Sequence, residues 1–223
     1  MSKKLFAAFL YGQNIPGRRY LTALGVEEVV RPLKPRICFI EIVNRPDSIL
    51  LSCDPAETEQ SIREALSALF ERECVVIEIE SLRRILTAAQ DALQTIGEPT
   101  CSPYRLNCED AEWEWCVVLC SGPLPTRITE ERCLGTPSPQ KVVPIEILES
   151  RALLARKRRR SPSGTRVMTG AVLIKPWERA LKAEGIFLDC LTSRVLNQIE
   201  RVVLAAEKSL TGGKIGQRRA KEP

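Results

Sequence analysis

The amino-acid sequence predicts an α+β protein made of two ferredoxin-like α/β sandwich units packed side by side. In each half of the chain a strand, a short helix and two strands are followed by helices, and this repeated order is the main basis for the prediction. The prolyl and polar stretch "EPTCSPYRLNCED" separates the two halves. We therefore expect an N-terminal half over 1–97, a linker over 98–110, a C-terminal half over 111–210 and a flexible basic tail over 211–223.

In the first half, apolar runs that end at turn residues predict four strands. "KLFAAFLY" (4–11) opens the half and is followed by a glycine loop and a short helix over 18–25. "RICFIEIV" (36–43) and "SILLSC" (48–53) flank the turn "NRPD", which predicts a hairpin because Asn, Pro and Asp favour turns. "CVVIEIE" (74–80) is the fourth predicted strand.

Two amphipathic helices complete the first half. The stretch over 54–70 offers Asp54 as the N-cap, Pro55 at the first helical position and Glu57 to complete a capping box. The stretch over 81–97 places apolar residues three and four apart and ends at a glycine. Both patterns predict helices with one face turned to the core.

The second half repeats this order of elements. "EWEWCVVLCSG" (112–122) predicts its first strand. "KVVPIEILES" (141–150) and "RALLARKRR" (151–159) predict a second hairpin, and helices are expected at about 169–184 and at 192–210.

The composition excludes several kinds of catalysis, because the chain of 223 residues contains no histidine. Ser-His-Asp and Cys-His nucleophile activation, His-ligated zinc and imidazole acid–base chemistry are therefore not available. The absence favours a binding protein over an enzyme. We accordingly assign no catalytic residue and no cofactor.

Nine cysteines occur in the chain without any Cys-x-x-Cys pair. The spacing of Cys101, Cys108, Cys116 and Cys120 does not match a zinc knuckle, so no metal site is predicted. Buried, reduced thiols are the simplest interpretation, and they predict a cytoplasmic protein. No apolar stretch approaches the roughly 20 residues that a membrane helix needs, so no membrane contact is expected.

Charge is distributed unequally along the chain. Residues 1–150 carry 16 basic and 22 acidic side chains, whereas residues 151–223 carry 17 basic and 6 acidic ones. The stretch "RALLARKRRRSPSGTR" (151–166) contains seven basic residues and no acidic one. Such a cluster predicts contact with the phosphates of a nucleic acid or with another polyanion. The candidate contact residues are Arg151, Arg156, Lys157, Arg158, Arg159, Arg160 and Arg166.

A solvated hairpin end and a frayed tail are the alternative interpretation of this basic stretch. Aromatic residues for base stacking are not interleaved with the basic ones, so any nucleic-acid binding should depend little on base sequence.

The opening loop "YGQNIPGRR" has the glycine spacing of a phosphate-binding loop, with Gly12 and Gly17 five residues apart. Arg18 and Arg19 stand where such a loop needs Lys and a hydroxyl, and Pro16 removes one backbone N–H donor. Ordinary nucleotide hydrolysis is therefore not expected. A strand-to-helix loop with two arginines still predicts a small-anion site, and a tight turn with solvated arginines is the alternative. The candidate anion-binding residues of the loop are Gly12, Asn14, Gly17, Arg18 and Arg19.

Four stretches resemble, in the same order, the bacterial family known as domain of unknown function 1697 (DUF1697). They are "FLYGQNIPG" (9–17), "IEIVNRPDSILLSC" (40–53), "WCVVLCSGPLP" (115–125) and "LTSRVLNQIERV" (191–202). The resemblance covers most of the chain and implies an α+β fold with two related halves, in agreement with the order of elements.

The same resemblance adds two residues to the candidate anion site, because Arg194 and Asn197 match the family's closing helix. The sequence departs from the family at Tyr11 and Pro16, and at Val195 and Leu196 in place of Asn-Trp.

Three functions remain open at this point. The first is a non-catalytic protein that binds nucleic acid or another polyanion through the basic hairpin and tail. The second is an enzyme or binder of a small phosphorylated or anionic ligand at the Gly12–Arg19 loop. The third is a protein-interaction module that uses a sheet edge or the groove between the halves.

Overall fold

The computed structural model describes residues 3–10, 22–44, 48–95, 113–122, 143–148, 151–158, 182 and 191–211. This part of the chain forms two four-stranded antiparallel sheets and four α-helices. The prediction of an α+β fold is therefore confirmed. The predicted linker and almost all of the predicted tail lie outside the described residues.

The first half contains one of the two sheets, with strand order β2-β3-β1-β4 and every neighbouring pair antiparallel. Its elements are β1 (Lys4–Leu10), α1 (Ala23–Val30), β2 (Ile37–Asn44), β3 (Ser48–Cys53), α2 (Glu59–Phe70), β4 (Cys74–Glu78) and α3 (Ile79–Thr95). A short 3-10 helix, Arg31–Leu33, follows α1. The predicted strands and the hairpin between β2 and β3 are confirmed.

The second half contains the other sheet, with strand order β6-β7-β5-β8. Its elements are β5 (Trp113–Cys120), β6 (Val143–Leu148), β7 (Ala152–Arg158), β8 (Leu191–Val195) and α4 (Leu196–Leu210). Strands β6 and β7 pair as the predicted second hairpin. The first strand of each half is thus the third in its sheet, and the last strand of each half is an edge strand.

Helix α2 begins at Glu59, so the predicted start at Asp54 is wrong. The cap is Thr58, whose hydroxyl accepts a hydrogen bond from the third helical residue, and the hydroxyl of that residue accepts one from the Thr58 N–H. Asp54 instead accepts a hydrogen bond from a backbone N–H two residues later, which forms a turn. The Glu57 carboxylate pairs with Arg36 at 2.6 Å, and this hydrogen bond holds the pKa of Glu57 below its ordinary value.

Three other predicted helices also have different bounds. The helix expected over 18–25 is α1, which continues to Val30 because its Val26 and Val30 are buried; Thr22 is its cap. The helix expected over 192–210 begins only at Leu196. The four residues before it belong to strand β8, which pairs with β5. The helix expected over 81–97 is α3, which begins two residues earlier, at Ile79.

The two halves share one hydrophobic core. Helix α4 packs against β2 and β3 of the first sheet as well as against β5 and β8 of its own, while α3 contacts β6 of the second sheet and α4. The edge strands β4 and β8 also contact each other. Both sheets and both helices contribute buried side chains to this core, among them Phe9, Leu50, Ile77, Leu82, Leu86, Trp115, Leu154, Ile199 and Val203. Helices α1 and α2 cover a second core on the other face of the first sheet.

Candidate anion-binding site

A buried arginine lies at the point where the opening loop leaves the first sheet. Arg194, in strand β8, is only 7% exposed. One terminal nitrogen of its guanidinium donates to the Thr192 hydroxyl, and the other donates to the backbone oxygen of Leu10 at 3.4 Å. The guanidinium carbon lies 5.4 Å from the centroid of the Phe9 ring, within the range of a cation–π contact. We call this group of residues the Arg194 corner.

The Arg194 corner links the second half of the chain to the loop of the first half. Leu10 is the last residue of β1, and the candidate residues Gly12, Asn14, Gly17, Arg18 and Arg19 follow it directly. These five residues lie outside the described part of the chain. A buried guanidinium beside Leu10 is a group that favours anions. Of the predicted anion site, the structure therefore positions Arg194 beside the start of the loop.

Asn197 lies in the first turn of α4 and is half-buried. One turn later, Glu200 is 6% exposed and lies among apolar residues of the same helix. Burial raises the pKa of Glu200 above its ordinary value, and the nearby charge of Arg201 offsets part of this effect. Sequence analysis did not single out Glu200, because a glutamate between apolar residues in a helix gives no signal of its burial.

The basic run predicted to bind polyanions (Arg156–Arg160) begins at the end of strand β7. Strand register places Arg156 opposite Trp115, Lys157 opposite Glu114 and Arg158 opposite Trp113. Strand β7 is a central strand with β6 on one side and β5 on the other, so its backbone groups are used in pairing. Arg159, Arg160 and Arg166 lie outside the described residues.

Arg151, the first of the predicted polyanion contacts, takes part in a contact between the two halves. Its guanidinium forms an ion pair with the Glu59 carboxylate of α2, with the nearest oxygen at 2.8 Å. It also donates to the backbone oxygen of Cys120, the last residue of β5, at 3.3 Å. The two charged side chains are only 18% and 25% exposed. Arg151 is therefore placed to fix one half against the other.

Two residues of α2 complete this contact. The Glu59 carboxylate also accepts a hydrogen bond from the Glu78 N–H at the end of β4, at 2.7 Å. One helical turn after Glu59, Arg63 donates to the Ser121 hydroxyl at 2.8 Å. Sequence analysis missed both residues. The available signal was their spacing of four along α2, which places them on one face of the helix.

Five cysteines in the described residues form no disulfide: Cys38, Cys53, Cys74, Cys116 and Cys120. Burial raises the pKa of Cys53 to about 12, so this thiol is not expected to react as a thiolate. Within the described ranges no three acidic or cysteine side chains are grouped so that they could hold a metal ion. The same ranges contain no helix with the length and apolar character needed to cross a membrane.

Comparison with known proteins adds little to this description of the site. No family model and no curated protein sequence matches the chain. Among solved structures, the chain is similar to a conserved bacterial protein, SP0830 of Streptococcus pneumoniae, at a TM-score of 0.47 and 10% sequence identity. The match covers 91% of this chain and 98% of that one. A likeness at this level carries no argument about function.

Proposed function

We propose that this protein is a non-catalytic binding protein that contacts nucleic acid, or a polyanion of similar charge density, through the basic run. The observation that carries the proposal is the position of Arg156, Lys157 and Arg158 at consecutive sites on the end of one central strand. Arg159 and Arg160 follow directly in the sequence. The end of this strand thus begins a run of five cations.

The spacing of these cations suits a phosphate backbone. Arg156 and Arg158 lie two residues apart on β7, and therefore about 7 Å apart along the strand, and duplex DNA carries one negative charge per about 1.7 Å of axis. Several phosphates are therefore within reach of the run, and each contact releases bound counterions. The backbone of β7 pairs with β5 as far as Arg158, so we expect the phosphate contacts to come from side chains, which position a nucleic acid without reading its bases.

Weak base preference is a further consequence of the proposal. Trp115, which lies opposite Arg156 in the sheet, is only 7% exposed and belongs to the shared core. It does not offer a free face on which a base could stack. Arg151 is engaged with Glu59 and Cys120, so the proposal rests on Arg156–Arg160, with Arg166 and the basic tail as further contacts.

The test is the salt dependence of binding to a short duplex and to a single strand. Each phosphate contact contributes about 0.9 to the slope of log K against log salt for a duplex. Replacing Arg158, Arg159 and Arg160 with alanine should therefore lower the slope by up to about 3 and weaken binding to all sequences equally.

The matched control for this experiment removes the same charge elsewhere. Arg31, Arg84 and Arg201 are exposed and lie on three different helices of the described chain. Their triple alanine variant should keep the parent slope. Parent-like affinity and slope in the variant of the basic run would show that the proposed surface is wrong.

A second candidate function is binding of a small anion at the opening loop, with or without chemistry on it. The observation in its favour is the Arg194 corner, where a buried guanidinium donates to Leu10 at the start of the loop. This function predicts that Arg18→Gln and Arg19→Gln abolish thermal stabilisation by phosphate-bearing small molecules. Nucleic-acid binding should be unchanged in the same variants.

We also propose that each half is a ferredoxin-like unit and that the chain is a relative of the DUF1697 proteins working in the cytoplasm. The order β-α-β-β-α-β of the first half and the repeated strand order of the two sheets support the fold. The match of Arg194 and Asn197 to the closing helix of that family supports the relationship. A role as a protein-interaction module stays a prediction.

A further inference from the structure

The second half repeats the strand end from which the opening loop leaves the first half. Strands β1 and β5 occupy the same position in their sheets, and their last residues, Leu10 and Cys120, each pair with the first residue of the adjacent edge strand. A glycine follows two residues later in both halves, as Gly12 and as Gly122. The segment that begins at Ser121 is therefore the counterpart of the opening loop.

Two arginines from different parts of the chain converge on this second strand end. Arg63 of α2 donates to the Ser121 hydroxyl at 2.8 Å, and Arg151 donates to the backbone oxygen of Cys120 at 3.3 Å. Arg63, Ser121 and Arg151 are all half-buried, so they are within reach of a small solute and partly shielded from water. Two guanidinium groups thus contact adjacent residues, Cys120 and Ser121, at the end of β5.

A carboxylate and a hydroxyl also belong to this cluster. The Glu59 carboxylate is held by Arg151 and by the Glu78 N–H. In addition, a serine hydroxyl that accepts a hydrogen bond from Arg63 retains its own proton for donation.

We propose that Arg63, Ser121 and Arg151 form a second anion site, which binds one phosphate group of a small molecule. We call it the second-loop site. Planar guanidinium groups match the oxygens of phosphate, and partial burial strengthens their charge-assisted hydrogen bonds. The second-loop site is separate from the opening loop and from the basic run. Helix α2 of the first half contributes Arg63, and the second half contributes Ser121 and Arg151.

The probe for this site is inorganic phosphate, titrated into the full-length protein at constant ionic strength and followed by thermal shift. Arg63→Gln and Ser121→Ala should each weaken phosphate binding at least fivefold. Ser121→Ala keeps every charge, so it tests the site even if Arg63→Gln lowers stability. Each variant is compared with its own melting temperature in the absence of phosphate.

The structure supplies a matched control for the loss of an arginine–serine contact. Arg84 donates to the Ser81 hydroxyl at 3.1 Å within helix α3. Arg84→Gln should leave phosphate affinity within twofold of the parent.

Two results would overturn the proposal. One is equal phosphate affinity in the parent, Arg63→Gln and Ser121→Ala proteins. The other is a loss of affinity only in the variant of Arg18 and Arg19, which would place the phosphate at the opening loop instead.

Discussion

The ion pair between Arg151 and Glu59 should contribute measurably to the stability of the protein, because it joins the two halves in a partly buried position. Opposite unit charges about 3 Å apart attract by roughly 6 kcal/mol at an effective dielectric constant near 20. Desolvation of two side chains that are 18% and 25% exposed offsets most of that attraction. We expect a net coupling free energy of about 1.5 kcal/mol between the two side chains.

The single variants should cost more than the coupling, because each side chain has a second partner. Glu59→Ala also removes the acceptor for the partly buried Glu78 N–H, and a donor that is shielded from water and left without an acceptor costs about 1–3 kcal/mol. We therefore expect Glu59→Ala to lower the free energy of unfolding by about 3 kcal/mol. Arg151→Ala also removes a hydrogen bond to Cys120 and should lower it by about 2 kcal/mol.

The assay is a double-mutant cycle by urea denaturation, with the fluorescence of the buried Trp115 among the signals. The control cycle uses Lys34 and Glu27, whose charged atoms are 3.7 Å apart on side chains about half exposed. An exposed pair of this kind should show a coupling of no more than about 0.5 kcal/mol. A coupling between Arg151 and Glu59 as small as that of the control pair would refute the reasoning.

Three further outcomes follow from the described contacts. Thr58→Ala removes the cap of α2 and should lower the free energy of unfolding by about 1 kcal/mol, whereas Asp54→Ala, at the wrongly predicted cap, should lower it by less than half as much. Ile199→Ala opens a cavity in the shared core and should lower the free energy of unfolding by about 2–5 kcal/mol, with a single cooperative transition. Leu210→Ala, at an exposed position, should change it little in the same denaturation assay. Burial raises the pKa of Glu200, so its ionisation lowers stability as the pH rises from the unfolded-state pKa through the folded-state pKa. Glu200→Gln should therefore be more stable than the parent at pH 7 and equally stable below the unfolded-state pKa. The same stability difference at every pH would contradict this expectation.

Local sequence signals were sufficient for most of the secondary structure. Alternating or continuous apolar runs bounded by turn residues identified seven strands, and the amphipathic patterns identified α2, α3 and α4. Strand β8 was missed because Leu191–Val195 runs into α4 without any turn residue between them. The start of α2 was misplaced because Asp54 and Glu57 have the residue types of a capping box, yet a long-range partner, Arg36, holds Glu57.

The candidate sites were harder to predict, because their contacts join residues far apart in the sequence. The resemblance to a known family points to Arg194, but only the tertiary structure shows its contact with Leu10. The contact of Arg63 with Ser121 depends on how α2 packs against the second half. No pattern along a single helix or strand predicts how the two halves pack together. Their relative position is set when α3 and α4 bury their apolar faces in a core that both halves share.

The same packing changes how the positive charge of the last third of the chain should be interpreted. The excess of basic residues suggests a charged surface, but two of these residues make contacts inside the fold. Arg151 donates a hydrogen bond to the backbone oxygen of Cys120 at the end of β5, and Arg194 donates one to that of Leu10 at the end of β1. Arginines held inside the fold release no counterions when a polyanion binds at the surface, because they do not contact the phosphates of its backbone. The salt dependence of binding should therefore follow the basic run and the tail rather than the net charge of residues 151–223. Arg151→Lys keeps that net charge while weakening the planar contacts with Glu59 and Cys120, so we expect it to lower stability and to leave the salt slope unchanged.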